Sequence, residues 1–260
     1  MPELKIGIQL RALRQPLGRA IQTASRLGAS AVEIDARREL NVREMSETGV
    51  RQLKKMLDDA NVGVCALEFQ TRRGYNVPER LQERVEATKA AMNLAWKLGA
   101  RVLVNQVGHI PEDTDTSEWN LLIDVLGELG KHAHRCGVFL AAETGGEDPA
   151  SLLKLIDALP EGSIGITLNP GNLIIHGFSA SAAVNELGQH IMYVRAKDGV
   201  RDLAQGRGLE VPLGRGSADF PELIGLLEEF GYRGYFTVAR ENATDPINEI
   251  SMAVEYLSNI

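Results

Sequence analysis

The sequence predicts a closed (β/α)₈ barrel of the α/β class, occupying residues 1–260 as a single domain. Three observations predict it. A unit of amphipathic helix, glycine and short apolar strand recurs along the chain. Eight strands can be counted, and a helical pattern follows each one. No linker or low-complexity tract divides the 260 residues, a length suited to one such barrel. Strict alternation of strand and helix requires parallel pairing with right-handed crossovers. Eight such units close on themselves, whereas an open doubly wound sheet more often stops at about five or six; the rival is such an open sheet with extra strands.

The strands are expected near residues 5–10, 31–35, 62–68, 101–107, 138–143, 164–169, 191–197 and 235–241. The first helix opens at Pro16, a favoured first-turn residue, and carries Leu17, Ala20, Ile21, Ala24 and Leu27 on one stripe. Gly28 then precedes the strand Ala31-Val32-Glu33-Ile34, and Gly99 precedes Val102-Leu103-Val104-Asn105. The same unit returns at Gly137 before Phe139-Leu140-Ala141-Ala142-Glu143, and at Gly231 before Tyr235-Phe236-Thr237-Val238. A glycine just past a helix takes the left-handed conformation that ends it.

Composition narrows the partners. Apolar residues make up 44% and charged residues 24%, ordinary for a globular domain, and the formal net charge is −7 with no run of Lys or Arg. That balance argues against nucleic acid or an anionic membrane as partner. Met1 to Lys5 leads straight into a strand, so no signal peptide is expected, and no apolar stretch is long enough to cross a bilayer. Cys65 and Cys136 read as reduced, buried thiols. A cytoplasmic protein is the expectation.

Active sites of this fold lie at the C-terminal ends of the strands, and period-2 alternation separates interior from helix-facing positions. Ile164, Ile166 and Leu168 face outward, leaving Thr167 and Asn169 inside. Phe236 and Val238 face out, so Thr237, Ala239 and Glu241 face in. The same logic places Gln9, Glu33, Asn105, Glu143, Arg195 and Lys197 at a polar mouth. Buried charges need partners, and Glu143 with Arg195 is the expected pair. Two readings stay open: a ligand site, or a plug of groups that only satisfy one another.

Five segments at these strand ends carry a resemblance. They are Ala142-Glu143-Thr144, Leu168-Asn169-Pro170-Gly171-Asn172-Leu173, Val194-Arg195-Ala196-Lys197-Asp198, Leu213 to Phe220, and Tyr235 to Asn242. In order and at the right strands, they resemble the sugar phosphate isomerase/epimerase family, the xylose-isomerase-like TIM barrels, over essentially the whole chain. The resemblance implies one divalent metal (Mn, Mg, Co or Zn) held by Glu, Asp, His and Glu from strands five to eight, with the two Glu as acid and base. Carried over, the first Glu is Glu143, but the Asp position reads Asn169, the His position Arg195 and the final Glu position Ala239. A His sometimes found three residues after the Asp position reads Asn172. Asn is a weak neutral ligand, Arg cannot ligate and Ala offers nothing. No metal is therefore expected, beyond a weakly held divalent cation that the resemblance leaves open.

Three repairs of the chemistry are expected. Glu241, one pleat beyond Ala239, stands in for the missing carboxylate; Arg195 replaces the metal as oxyanion stabiliser; or Lys197 forms a Schiff base. Glu143, Arg195, Lys197 and Glu241 are thus the catalytic candidates. Gln9, Glu33, Asn105, Asn169, Asn172, Arg201 and Arg215 are the substrate-binding candidates. Thr71-Arg72-Arg73-Gly74-Tyr75 and Gly214-Arg215-Gly216 each read as an anion site or as an ordinary loop, with Ser217 as N-cap of the next helix. His109 and His176 follow strands but read as surface or structural, and His132 and His134 cannot share a helix face.

The resulting expectation is an isomerase or epimerase that moves a proton through an enediolate on a small sugar, sugar phosphate or hydroxy-keto acid. The alternatives are a sugar-binding or regulatory protein without turnover and, more distantly, a Schiff-base lyase using Lys197. The partner is a small carbohydrate-like molecule, not nucleic acid or membrane, and the resemblance implies a homodimer.

Overall fold

A computed structural model describes residues 4–202 and 207–260. Eight parallel strands close a barrel: β1 (Lys5–Gln9), β2 (Ala31–Asp35), β3 (Gly63–Glu68), β4 (Val102–Asn105), β5 (Phe139–Glu143), β6 (Gly165–Leu168), β7 (Ile191–Ala196) and, sealing it against β1, β10 (Tyr235–Val238). The last strand stops three residues short of the expected end, so Glu241 lies beyond the sheet. Between β7 and β10 comes an antiparallel hairpin, β8 (Asp198–Asp202) and β9 (Arg207–Val211), which strict strand–helix alternation did not foresee.

Helices α1 (Leu17–Arg26), α2 (Glu47–Asp59), α3 (Leu81–Leu98), α4 (Ser117–Cys136), α5 (Pro149–Asp157), α6 (Pro170–His176), α7 (Ala180–Leu187), α8 (Phe220–Glu229) and α9 (Pro246–Ser258) accompany the strands. Ser46, Thr116, Asp148 and Asn169 accept the first free amides of α2, α4, α5 and α6. Gly99 and Gly137 end α3 and α4 with φ of 82° and 68°. The expected N-cap Ser217 is not one. Asp219 caps α8 by accepting from the Glu222 amide at 3.1 Å.

The outward faces of the strands (Ile8, Ile34, Leu103, Leu140, Ile166, Val194, Phe236) pack on the helices. Inside, Ala31, Cys65, Ala66, Val104, Ala141 and Tyr193 fill the lower barrel, with Tyr193 donating to Thr237 at 2.6 Å. Both cysteines are free, and burial pushes the Cys65 thiol up to about 11, so this thiol stays protonated. The interior is a packed core, and a polar layer lies above it.

Strand β3 gains one residue against β2, the pairing stepping from Val32 with Val64 to Glu33 with Ala66. This bulge turns Cys65 and Ala66 both inward and carries Glu68 into the barrel.

At the other side of the mouth, Asp198 anchors the loop before α8. Its carboxylate accepts from the amides of Gly199, Gly214, Gly216 and Ala218 at 2.8–3.0 Å. A Cβ on Gly216 would stand 2.1 Å from Asp198 Oδ1, so glycine is required there by close approach. Asp198→Ala strips the acceptor from these amides, three of them on the loop it anchors, and is expected to cost about 3 kcal/mol. Urea denaturation measures it, and a loss below about 1 kcal/mol would contradict this anchoring role.

Candidate active site

Arg195 organises the polar layer. Its side chain is 2% exposed, and its Nε and Nη2 donate to Glu33 at 3.1 and 2.6 Å. Nη2 also lies 3.2 Å from Glu68, and Nη1 donates to Glu143 at 2.8 Å, the expected pair. Gln9 donates to Glu33 at 2.7 Å, and Asn169 and Gln70 donate to the two oxygens of Glu143 at 2.8 and 3.3 Å. Three buried acids thus share one guanidinium.

That ratio decides the protonation. Burial opposes the Arg195 charge, but Glu143, Glu33 and Glu68 hold it well above even its usual basicity. Burial also pushes the Glu143 carboxyl up, yet Arg195, Asn169 and Lys197 outweigh it and hold the group below the usual carboxylate range. Glu68, on the longer contact, is pushed up by burial to about 7, against the pull of Arg195 and with repulsion from Glu33. It is the acid best matched to proton exchange near neutrality.

Outside this layer lies a second one. Arg11, 20% exposed, reaches inward to Glu68 at 3.2 Å and outward to Glu241 at 3.1 Å. Lys197 Nζ lies 3.6 Å from Glu210 and 3.5 Å from Glu241, two ion pairs that occupy the amine a Schiff base would use. Glu241 is 49% exposed, and its carbonyl accepts from Arg14. It forms a rim group rather than the inner carboxylate expected of it, because β10 ends before it. Glu210, reaching in from β9, accepts from the amides of Glu241 and Asn242 and pairs with Arg240 at 2.8 Å.

The other expected binding residues divide. Gln9, Glu33 and Asn169 join the Arg195 network. Asn105 is fully buried and donates to the Phe69 carbonyl, a role in the wall and not at the mouth. Asn172, half-buried on α6, gives its amide to Asn169 Oδ1. Arg201 does not join them; it lines a separate cavity of about 370 Å³ with Ser179, Ser217 and Asp219. Arg215 is exposed on the loop that Asp198 anchors. His109 pairs with Glu147 at 3.2 Å, and His176 meets the Asn172 carbonyl. The sequence reading missed Glu68, Arg11, Gln70 and Glu210. Glu68 was hidden by the bulge; Arg11 and Gln70 lie just past strand ends, and Glu210 on the unforeseen hairpin.

The closed eight-stranded barrel is matched by family comparison. Residues 21–260 match the family described as xylose isomerase-like TIM barrel. The chain belongs to that family. A crystal structure of a xylose isomerase domain protein from Planctomyces limnophilus superposes with a TM-score of 0.88 at 23% identity, covering 99% of this chain and 97% of that one. D-Psicose 3-epimerase from Clostridium cellulolyticum H10, solved with D-tagatose, gives a TM-score of 0.80 at 15% identity and 99% coverage of each chain. An inosose dehydratase of Geobacillus thermodenitrificans is 23% identical over 233 residues, covering 78% of this chain and 77% of that protein.

In this xylose isomerase-like barrel the four strand-end positions hold Glu143, Asn169, Arg195 and Ala239. As a donor set they do not fit a divalent cation. Both oxygens of Glu143 already accept protein hydrogen bonds, the guanidinium contributes positive charge, and Ala239 has no donor atom. Among the described residues no three His, Cys, Asp or Glu side chains form a group able to hold a metal ion. No described helix is long and apolar enough to cross a membrane.

Proposed function

We propose that this barrel binds a small sugar, sugar phosphate or hydroxy-keto acid and moves a proton between neighbouring carbons through an enediolate, without a divalent metal. The observation that carries the reading is the Arg195 clamp, a permanent cation tied to Glu33, Glu68 and Glu143 where the family resemblance implies a metal. Glu143, held ionised, is the base that takes the carbon-bound proton. Glu68, near pH 7, returns one. Arg195 has all three nitrogens on carboxylates, so the enediolate oxygens fall to the rim cations Arg11 and Lys197. The epimerase among the structural neighbours and the inosose dehydratase among the relatives support substrates of the sugar class.

Incubation with a panel of ketoses and keto acids in deuterated water tests the reading. Solvent deuterium is expected at the carbon beside the carbonyl, falling about 10²-fold or more in Glu143→Gln. Elemental analysis is expected to find no stoichiometric Mn, Co or Zn; a stoichiometric ion that Glu143→Ala loses would overturn the metal-free part. One observation favours a second reading, a sugar-binding or regulatory protein without turnover. Every nitrogen of Arg195 already lies on a carboxylate, and both oxygens of Glu33 and of Glu143 already accept hydrogen bonds from protein groups. Saturable sugar binding with no deuterium exchange would select it.

A further inference from the structure

The loops after β2 and β3 enclose a cavity of about 690 Å³ on the C-terminal side of the barrel. Arg37, Arg38 and Arg43 line it from the first loop, and Arg72 and Arg73 from the second. Arg80 and Arg84, at the start of α3, complete a wall whose only lining acids are Glu79 and Glu83. These two are already paired, Glu79 with Arg73 and Glu83 with Arg80 at 2.6 Å. Arg43 and Arg72 have no carboxylate within ion-pair distance and no hydrogen-bond partner among the described residues. Arg84, in contrast, donates from Nη1 and Nη2 to the carbonyls of Glu79, Gly74 and Val77 and leaves only its buried Nε without a partner. Arg38 lies 3.8 Å from Asp35, so seven arginines meet three paired carboxylates. A surplus of four positive charges in one concavity contrasts with a chain of net charge −7.

The cavity adjoins the polar layer through one residue. Gln70 donates to Glu143 at 3.3 Å, while its backbone carbonyl accepts from Arg37 at 3.1 Å on the cavity side. Phe69, which lines the cavity, directly follows Glu68. The usual phosphate position of barrels, the loops after the last two strands, is closed here, because Asp198 fills the amide cradle of Gly214, Gly216 and Ala218 with its own carboxylate. Guanidinium groups recognise phosphate in bidentate fashion, and the volume is that of a small-ligand site.

We propose that the arginine cavity between the second and third strand loops binds the phosphate group of a phosphorylated sugar whose carbonyl end lies over Gln70 and Glu143. The proposal rests on the sugar-binding reading above and selects the phosphorylated members of that substrate class. Isothermal titration tests it with inorganic pyrophosphate, with xylulose 5-phosphate and fructose 6-phosphate, and with the two free ketoses. Pyrophosphate is expected to bind saturably, and each ketose phosphate at least tenfold more tightly than its free ketose. Arg43→Glu combined with Arg72→Glu is expected to weaken binding of all three phosphate probes at least tenfold without shifting thermal unfolding, since both side chains are exposed. Equal binding by wild type and double variant overturns the proposal, as does tighter binding of a single-stranded oligonucleotide than of either ketose phosphate. Pyrophosphate binding involves no turnover. Failure of deuterium exchange alone therefore rejects the proton-transfer reading and leaves this site standing. Exchange on free ketoses with no phosphate preference does the reverse.

Discussion

Arg195→Met is expected to destabilise the barrel by about 3–5 kcal/mol at pH 8, the cost of leaving buried charges without their partner. The variant keeps the length of the side chain but removes the cation on which Glu33, Glu68 and Glu143 converge. The penalty is electrostatic, so it is expected to shrink as the pH is lowered and the carboxylates take up protons. Adding Glu33→Gln and Glu68→Gln to Arg195→Met is expected to restore much of the loss, because neutral partners of the same shape no longer repel one another. Urea unfolding of the single and triple variants measures both effects. A single variant within about 1 kcal/mol of wild type would mean that Arg195 does not hold the layer together.

The second large effect is a pH dependence centred on Glu68. Its folded value of about 7 lies above the ordinary 4.5, so the folded protein holds a proton that the unfolded chain releases. The stabilisation is complete below the unfolded value, declines as pH rises from about 4.5, and is gone above about 7. At 1.36 kcal/mol for each pH unit, this group alone accounts for roughly 3 kcal/mol across that window. Glu68→Gln cannot ionise. Its stability relative to wild type is therefore expected to improve from pH 5 to about pH 7 and to level off above it. Carbon-13 NMR of the glutamate carboxyls is expected to show two titrations near pH 7, those of Glu39 and Glu68, of which the substitution removes the second. Because Glu33 and Glu143 face the same guanidinium, that midpoint belongs to the cluster as a whole. A carboxyl spectrum with every midpoint below 5 would dismiss the idea.

Closure of the barrel was legible because it depends on a coarse pattern, eight apolar strands alternating with helices. Arg195 and Glu143 were legible too, since β5 keeps period 2 up to the mouth and β7 keeps it from Tyr193 onward, beyond an irregularity at Met192. Glu68 was not. Strict alternation from Val62 and Val64 sends it outward, and only the extra residue at Cys65 turns it in. Glu241 failed for a related reason: the Ala239–Asn242 segment leaves the sheet, and a pleat argument has no meaning there. The hairpin of β8 and β9 is inserted between β7 and its crossover helix α8, and its Glu210 acts through tertiary contacts that no local pattern encodes.

The sharing of one guanidinium among three acids also constrains how this chain can change over evolutionary time. A histidine at position 195 would not by itself make a metal centre, because Glu33 would lose its counter-ion and Glu68 would keep only Arg11. Asn169 and Ala239 would then add further acids to an already overcharged interior if they too reverted. Arg195→His is therefore expected to lower stability on its own, and Glu33→Gln beside it to recover part of the loss, as thermal unfolding of the single and double variants would measure.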